Sequence, residues 1–101
     1  MLGHMVYFTL KDDSPQAIEN MLAACRRYLT GHPGTLFFAV GTRTVDLKRP
    51  VNVCDFDVAL QIIFASREAH DQYQVDPRHL QFVEENKAHW AQVRVFDADL
   101  N

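Results

Sequence analysis

No stretch of this 101-residue chain approaches the roughly 20 consecutive apolar residues that a bilayer-spanning helix needs. Cysteine is scarce: Cys25 and Cys54 are the only two, and neither belongs to a Cys-x-x-Cys or Cys/His metal spacing. That excludes a disulfide framework, and no metal is expected. Basic charge is thin and scattered. Ten Lys and Arg against thirteen Asp and Glu give a net charge of −3, with no basic stripe, which argues against nucleic acid or an anionic membrane as a partner. A glycine-rich phosphate loop, a Gly-x-Ser-x-Gly elbow and a nicotinamide fingerprint are all missing, so no cofactor is expected. The apolar start from Met1 to Phe8 lacks a basic flank and is cut off by Lys11-Asp12-Asp13, too early for a secretory signal. The expectation is a reduced, cytoplasmic protein.

What is present reads as one domain over residues 1–101, since this length leaves no room for a second core. Residues 2–10 alternate, with Leu2, His4, Val6, Phe8 and Leu10 on one face and Met5, Tyr7 and Thr9 on the other. Ser14-Pro15 is a cap followed by a proline at the first helical position. Behind it, Ile18, Met21, Leu22, Cys25 and Leu29 make one apolar stripe. Gly31-His32-Pro33-Gly34 stops that helix. A second strand is expected over 35–45, with a bulge at Gly41, then a polar connection over 46–54 and a third strand over 56–64. Ser66 caps a short helix carrying His70 and Tyr73. Asp76-Pro77 repeats the cap-then-proline signal and opens a third helix, with His79, Phe82, Val83 and Trp90 along one face. Residues 91–96 read as the last strand and 97–101 as a tail.

The order β-α-β-β-α-β is the split βαβ, ferredoxin-like pattern of an α+β fold. It implies a four-stranded antiparallel sheet with its helices on one face. The other face then carries Met5, Tyr7, Phe37, Ala39, Ala59 and Ile63, with few charges. Leaving such side chains in water forgoes about 1.5–3 kcal/mol for each large one. A patch of this kind marks an interface, and its simplest partner is a second copy, sheet on sheet. A homodimer is therefore expected.

The residues with chemical capacity are polar groups in apolar places. His79 falls in the first turn of the third helix, where the positive helix end disfavours imidazolium and keeps the ring neutral and basic. Tyr73 lies six residues earlier, across the helix break, so that hydroxyl and ring converge on one cavity. The plainer alternative is a backbone-bonded histidine and a half-buried tyrosine. His4, mid-strand among apolar residues, is either a satisfied core histidine or part of that cavity. Asp57 either fixes a neighbouring loop or sits at a wet strand end. Cys25 reads as core packing. His32, His70 and His89 read as solvent-facing or loop-borne, without a role.

Taken together, His4-x-Val6-x-Phe8-x-x-Lys11, Asp57 ahead of Phe64-x-Ser66, Tyr73-x-x-x-Pro77-x-His79 and Val95-Phe96-Asp97 resemble the stress-responsive A/B barrel (Dabb) family over about residues 3–97. The resemblance implies a ferredoxin-like fold and a dimeric α/β barrel in which two sheets close on each other. It also implies a site formed by His4, Tyr73 and His79. The family includes the plant olivetolic acid cyclase, in which a tyrosine and a histidine act without cofactor or metal. Their counterparts would be Tyr73 and His79, and that cyclase's third-strand pocket histidine falls at Val58. Two readings follow. The first is a dimer binding a small apolar or aromatic molecule in a cavity bounded by His4, Val58, Tyr73 and His79. The second is a cofactor-independent enzyme (a polyketide cyclase, lyase or monooxygenase-like protein) with His79 as base and Tyr73 holding the developing enolate.

Overall fold

The computed structural model describes residues Met1–Asn101. Four strands, β1 (Leu2–Leu10), β2 (Thr35–Thr42), β3 (Val58–Phe64) and β4 (Trp90–Asp99), form one sheet in the order β2-β3-β1-β4. Every neighbouring pair is antiparallel. Three helices complete the chain: α1 (Pro15–Leu29), α2 (Arg67–Val75) and α3 (Pro77–Asn86), followed by a 3₁₀ turn at Lys87–His89. This is the ferredoxin-like β-α-β-β-α-β topology, with the second helical segment broken at Asp76.

Local chemistry accounts for the helix boundaries. Ser14 is the N-cap of α1, its hydroxyl accepting from the Ala17 amide, and Pro15 follows at the first helical position. At the other end the Thr30 hydroxyl donates to the Arg26 carbonyl, and Gly31 adopts φ 75°. Arg78, from the first turn of α3, then reaches across. Its guanidinium donates to the carbonyls of Arg27 (2.6 Å) and Thr30 (2.8 Å), pinning the end of α1 to α3. Asp76 serves two helices at once. It ends α2 with its amide on the Tyr73 carbonyl and caps α3 with its carboxylate on the Arg78 amide.

One face of the sheet is the core. Val58, Leu60, Ile62 and Phe64 of β3 and Leu2, Val6, Phe8 and Leu10 of β1 pack against Met21, Leu22, Cys25 and Leu29 of α1 and Phe82 of α3. Burial pushes the Cys25 thiol up to about 12, which makes it an inert packing group. The opposite face carries Met5, Tyr7, Phe37, Ala39, Ala59 and Ile63, as their register requires, and adds Phe96 at 57% exposure. Tyr7 lies edge-on to Phe56 (4.9 Å) and to Phe96 (5.8 Å). The segment between β2 and β3 leans over this face. With Arg43, Arg94 and the aromatic rings it outlines a hollow of about 440 Å³, on the side of the sheet away from the histidines.

Four boundaries differ from the sequence expectation. β2 ends at Thr42 and β3 starts at Val58, because residues 43–57 have no strand partner. The irregularity in β2 falls between Thr35 and Phe37 rather than at Gly41. Trp90 begins β4 rather than ending a helix, since the 3₁₀ turn intervenes. The expected tail is strand as far as Asp99, paired with Leu2 of the central β1. No helix is long and apolar enough to cross a membrane.

Candidate functional site

Tyr73 occupies the last turn of α2 and His79 the first turn of α3, and the two rings lie 4.6 Å apart at 56°. They belong to an aromatic cluster. Around Tyr73 stand Phe64 (5.0 Å), His32 (5.0 Å) and His4 (5.8 Å). A cavity of about 120 Å³ borders the group, lined by His4, Tyr73 and His79 together with Phe8, Phe82, Val83 and Trp90. It opens along β4, where Val93 and Val95 face the helical side at 38% and 50% exposure. Three of the four residues expected to bound the cavity therefore meet at it.

Val58 does not. It pairs with Phe8 and Thr42 on β3, on the far side of β1 from β4, and is completely enclosed in the core. The cavity lies over β1 and β4, and β3 reaches it only through Leu60. Asp57 has a structural part. Its carboxylate accepts from the Leu10 amide (2.8 Å) while its own amide donates to the Phe8 carbonyl (2.8 Å), fixing the end of β1.

The electrostatics follow from burial. Tyr73 is 3% exposed, and burial pushes its phenol well above the usual value, with Cys25 adding to the effect, so the hydroxyl keeps its proton. His79 is lowered, chiefly by burial, with the Gln74 backbone and Asp76 opposing and His4 and His32 assisting. The expectation of a neutral ring holds in direction, with burial as the leading cause. The His79 Nδ1 is buried and has no hydrogen-bond partner. His4 is lowered by burial too, against an opposing bond from its Nδ1 to the Asp97 carboxylate at 2.6 Å. With Nδ1–H donating to Asp97, the lone pair of the ring sits on Nε2.

His32 and His70, expected to be solvent-facing or loop-borne, belong to this region. His32 is 4% exposed, donates from Nε2 to the Tyr28 carbonyl (2.7 Å) and packs edge-on against Tyr73. It caps α1 rather than hanging in a loop. His70 lies edge-on to His4 (5.2 Å) and to Phe64 (5.8 Å), and its side chain is only 13% exposed. The signal available in the sequence was position: His70 precedes Tyr73 by three residues and so shares its helix face. His89 is exposed, as expected.

The sequence pattern of the Dabb, or stress responsive A/B barrel domain, family matches residues 2–100. No curated protein matches the chain. Among solved structures, a Dabb family protein of Mesorhizobium loti with a ferredoxin-like fold superposes with a TM-score of 0.81 at 22% identity, covering 99% of this chain and 96% of its own. A dimeric ferredoxin-like protein of unknown function from Thermobifida fusca gives 0.80 at 17% identity, covering 98% and 90%. A hydroxynitrile lyase from Passiflora edulis gives 0.78 at 21%, covering 99% and 93%. At these identities the likeness is one of fold.

Proposed function

This chain belongs to the stress-responsive A/B barrel domain family, and from that premise we propose that it is a homodimer binding a small apolar or aromatic molecule between its helices and its sheet. The observation that carries the reading is the meeting of Tyr73 and His79, 4.6 Å apart, on a mostly apolar hollow. A protonated phenol offers one donor, and a neutral imidazole with a free ring nitrogen offers one acceptor. That pairing suits a ligand with an apolar body and one carbonyl or hydroxyl oxygen. Size narrows the class. A core cavity of about 150 Å³ accommodates benzene, so one of about 120 Å³ takes a single small ring or a short carbonyl compound. An extended polyketide exceeds it.

The dimer reading rests on the open sheet face. Phe37 and Phe96 stand more than half exposed there, beside Met5, Tyr7 and Ile63, and a second sheet would cover them. Solved neighbours of this fold, including the Thermobifida fusca protein, are described as dimeric. Two free cysteines suit a reducing, cytoplasmic setting.

A thermal-shift screen of aromatic aldehydes, ketones and phenols against wild type and His79→Ala tests the ligand site. Hits that stabilise the wild type should stabilise the variant less. Equal shifts in both would remove His79 from the site.

One observation favours a second reading, that the site also turns its ligand over. The His4–Asp97 pair and the unpartnered nitrogen of His79 put two basic ring nitrogens beside one protonated phenol. His79 would take a proton α to a carbonyl while the Tyr73 hydroxyl holds the enolate oxygen. The hydroxynitrile lyase among the neighbours is one enzyme built on this fold. Deuterium exchange from solvent into a bound ketone, abolished in His79→Ala, is the expected result; exchange at the uncatalysed rate would sink this reading.

A further inference from the structure

We propose that His4, His70 and Asp97 form a binding site for a divalent first-row transition ion such as Zn²⁺, at the rim where β1, α2 and β4 meet. One ring nitrogen of each histidine and a carboxylate oxygen of Asp97 lie within 4.8 Å of one another. A tetrahedral ion with ligand bonds of about 2.0–2.1 Å needs donor atoms about 3.3–3.5 Å apart. His4 Nδ1 and Asp97 Oδ1, now 2.6 Å apart, would open slightly as the ion replaces the proton between them. His70 would close in. The Asp97 side chain is 43% exposed, so the movement is a side-chain rotation at the surface.

The surroundings of His70 point to a ligand. Its Nδ1–H donates to the Asp71 carboxylate (2.9 Å), and Asp71 is held in turn by the Arg67 guanidinium (2.9 Å). A carboxylate behind a histidine is the outer arrangement that orients a metal-binding ring and leaves the lone pair on the other nitrogen. That other nitrogen, Nε2, is buried and has no hydrogen-bond partner. A buried acceptor left without a donor is uncommon in folded proteins and calls for a reason. Two imidazoles and one carboxylate suit Zn²⁺, Co²⁺ or Ni²⁺; they do not suit Mg²⁺ or Ca²⁺, which require mostly oxygen. The exposed side of Asp97 leaves the fourth position open to water. Ligands at positions 4, 70 and 97 share no local spacing, so no motif announces them. Neither Tyr73 nor His79 takes part; His4 also lines the small-molecule hollow, so His70 and Asp97 are the residues that belong to this site alone.

Calorimetric titration of the metal-free protein with Zn²⁺, in excess Mg²⁺, should find one ion per chain. Co²⁺ should give the visible absorption of a tetrahedral complex. His70→Gln and Asp97→Asn should lose the site, Asp71→Asn should weaken it about 10–100-fold, and the exposed His89→Ala should leave it intact. These positions are chosen over the buried His4, and thermal melting checks that each variant folds. Imidazole resonances of the wild type give an answer that needs no variant: Zn²⁺ should shift those of His4 and His70. No binding at sub-millimolar Zn²⁺, equal affinity in wild type and folded His70→Gln, or shifts confined to other histidines would overturn the proposal.

Discussion

Replacing Tyr73 by Phe separates the packing of its ring from the chemistry of its hydroxyl. The ring is 3% exposed and lies among Phe64, His32, His4 and His79 at centroid distances of 4.6 to 5.8 Å. Removing it altogether, as in Tyr73→Ala, should cost about 3–5 kcal/mol, the usual range for truncating a buried aromatic side chain. Tyr73→Phe keeps every ring contact. No protein group bonds the hydroxyl, which borders the cavity, so its loss should change stability by less than about 1 kcal/mol. Urea denaturation at neutral pH reads both numbers. Binding should respond in the opposite sense. A ligand present at 100 times its Kd stabilises the fold by about 2.7 kcal/mol. If the lost hydrogen bond weakens binding about tenfold, the same ligand concentration is only about 10 Kd for the variant, and the stabilisation falls to about 1.4 kcal/mol. In a domain of this size each kcal/mol corresponds to about 4–8 °C, so the ligand-induced shift should roughly halve in Tyr73→Phe. A Tyr73→Phe protein destabilised by 2 kcal/mol or more, with its ligand response unchanged, would refute the reasoning. The hydroxyl would then be a structural group.

Gly34→Ala should destabilise the fold by about 2 kcal/mol or more. Gly34 sits at φ 81°, and an added Cβ would meet the Ala69 Cβ at 2.4 Å. Ala69→Gly should restore only part of the loss in the double variant, because the backbone strain remains; full rescue would contradict this. Lowering pH should also destabilise the protein. Burial holds His79 below 6.5 in the folded state, so the unfolded chain takes up the proton first, and stability present above pH 6.5 is lost as pH falls from there toward the folded value. Denaturant midpoints between about pH 8 and pH 5 should decline below 6.5, and less steeply in His79→Gln; identical slopes would exclude His79 as a source. Tyr7→Asp should turn a protein sedimenting at twice the chain mass into a monomer, since it places a charge on the face assigned to the dimer. A surviving dimer would show that another surface is used.

Local signals carried most of the fold. Ser14-Pro15 and Asp76-Pro77 each open a helix where their chemistry says they should, and the alternation of Leu2 to Leu10 assigned both faces of β1. The failures share one cause, which is contact between distant parts of the chain. Asp97 is tied to His4 across 93 residues, and the pairing that extends β4 to Asp99 comes from β1. Nothing near residue 97 announces either. The site was legible where its parts lie close together, as Tyr73 and His79 do around one helix break. It was misread at Val58, because only the strand order of the finished sheet sets β3 across β1 from the hollow and encloses that residue in the core. His32 and His70 looked free because polar residues near turns usually are, and only tertiary packing turned them inward.

Asp76 closes one helix and opens the next, and Pro77 fixes the direction in which the chain leaves. The separation of Tyr73 and His79 is thus set within seven consecutive residues and not by the assembly of distant elements. Substitutions at Val93, Val95 or Val83 can reshape the hollow while the reactive pair keeps its spacing. A fold organised this way can acquire new ligands through its lining and conserve its chemistry at the joint, so specificity and reactivity are free to diverge at different rates.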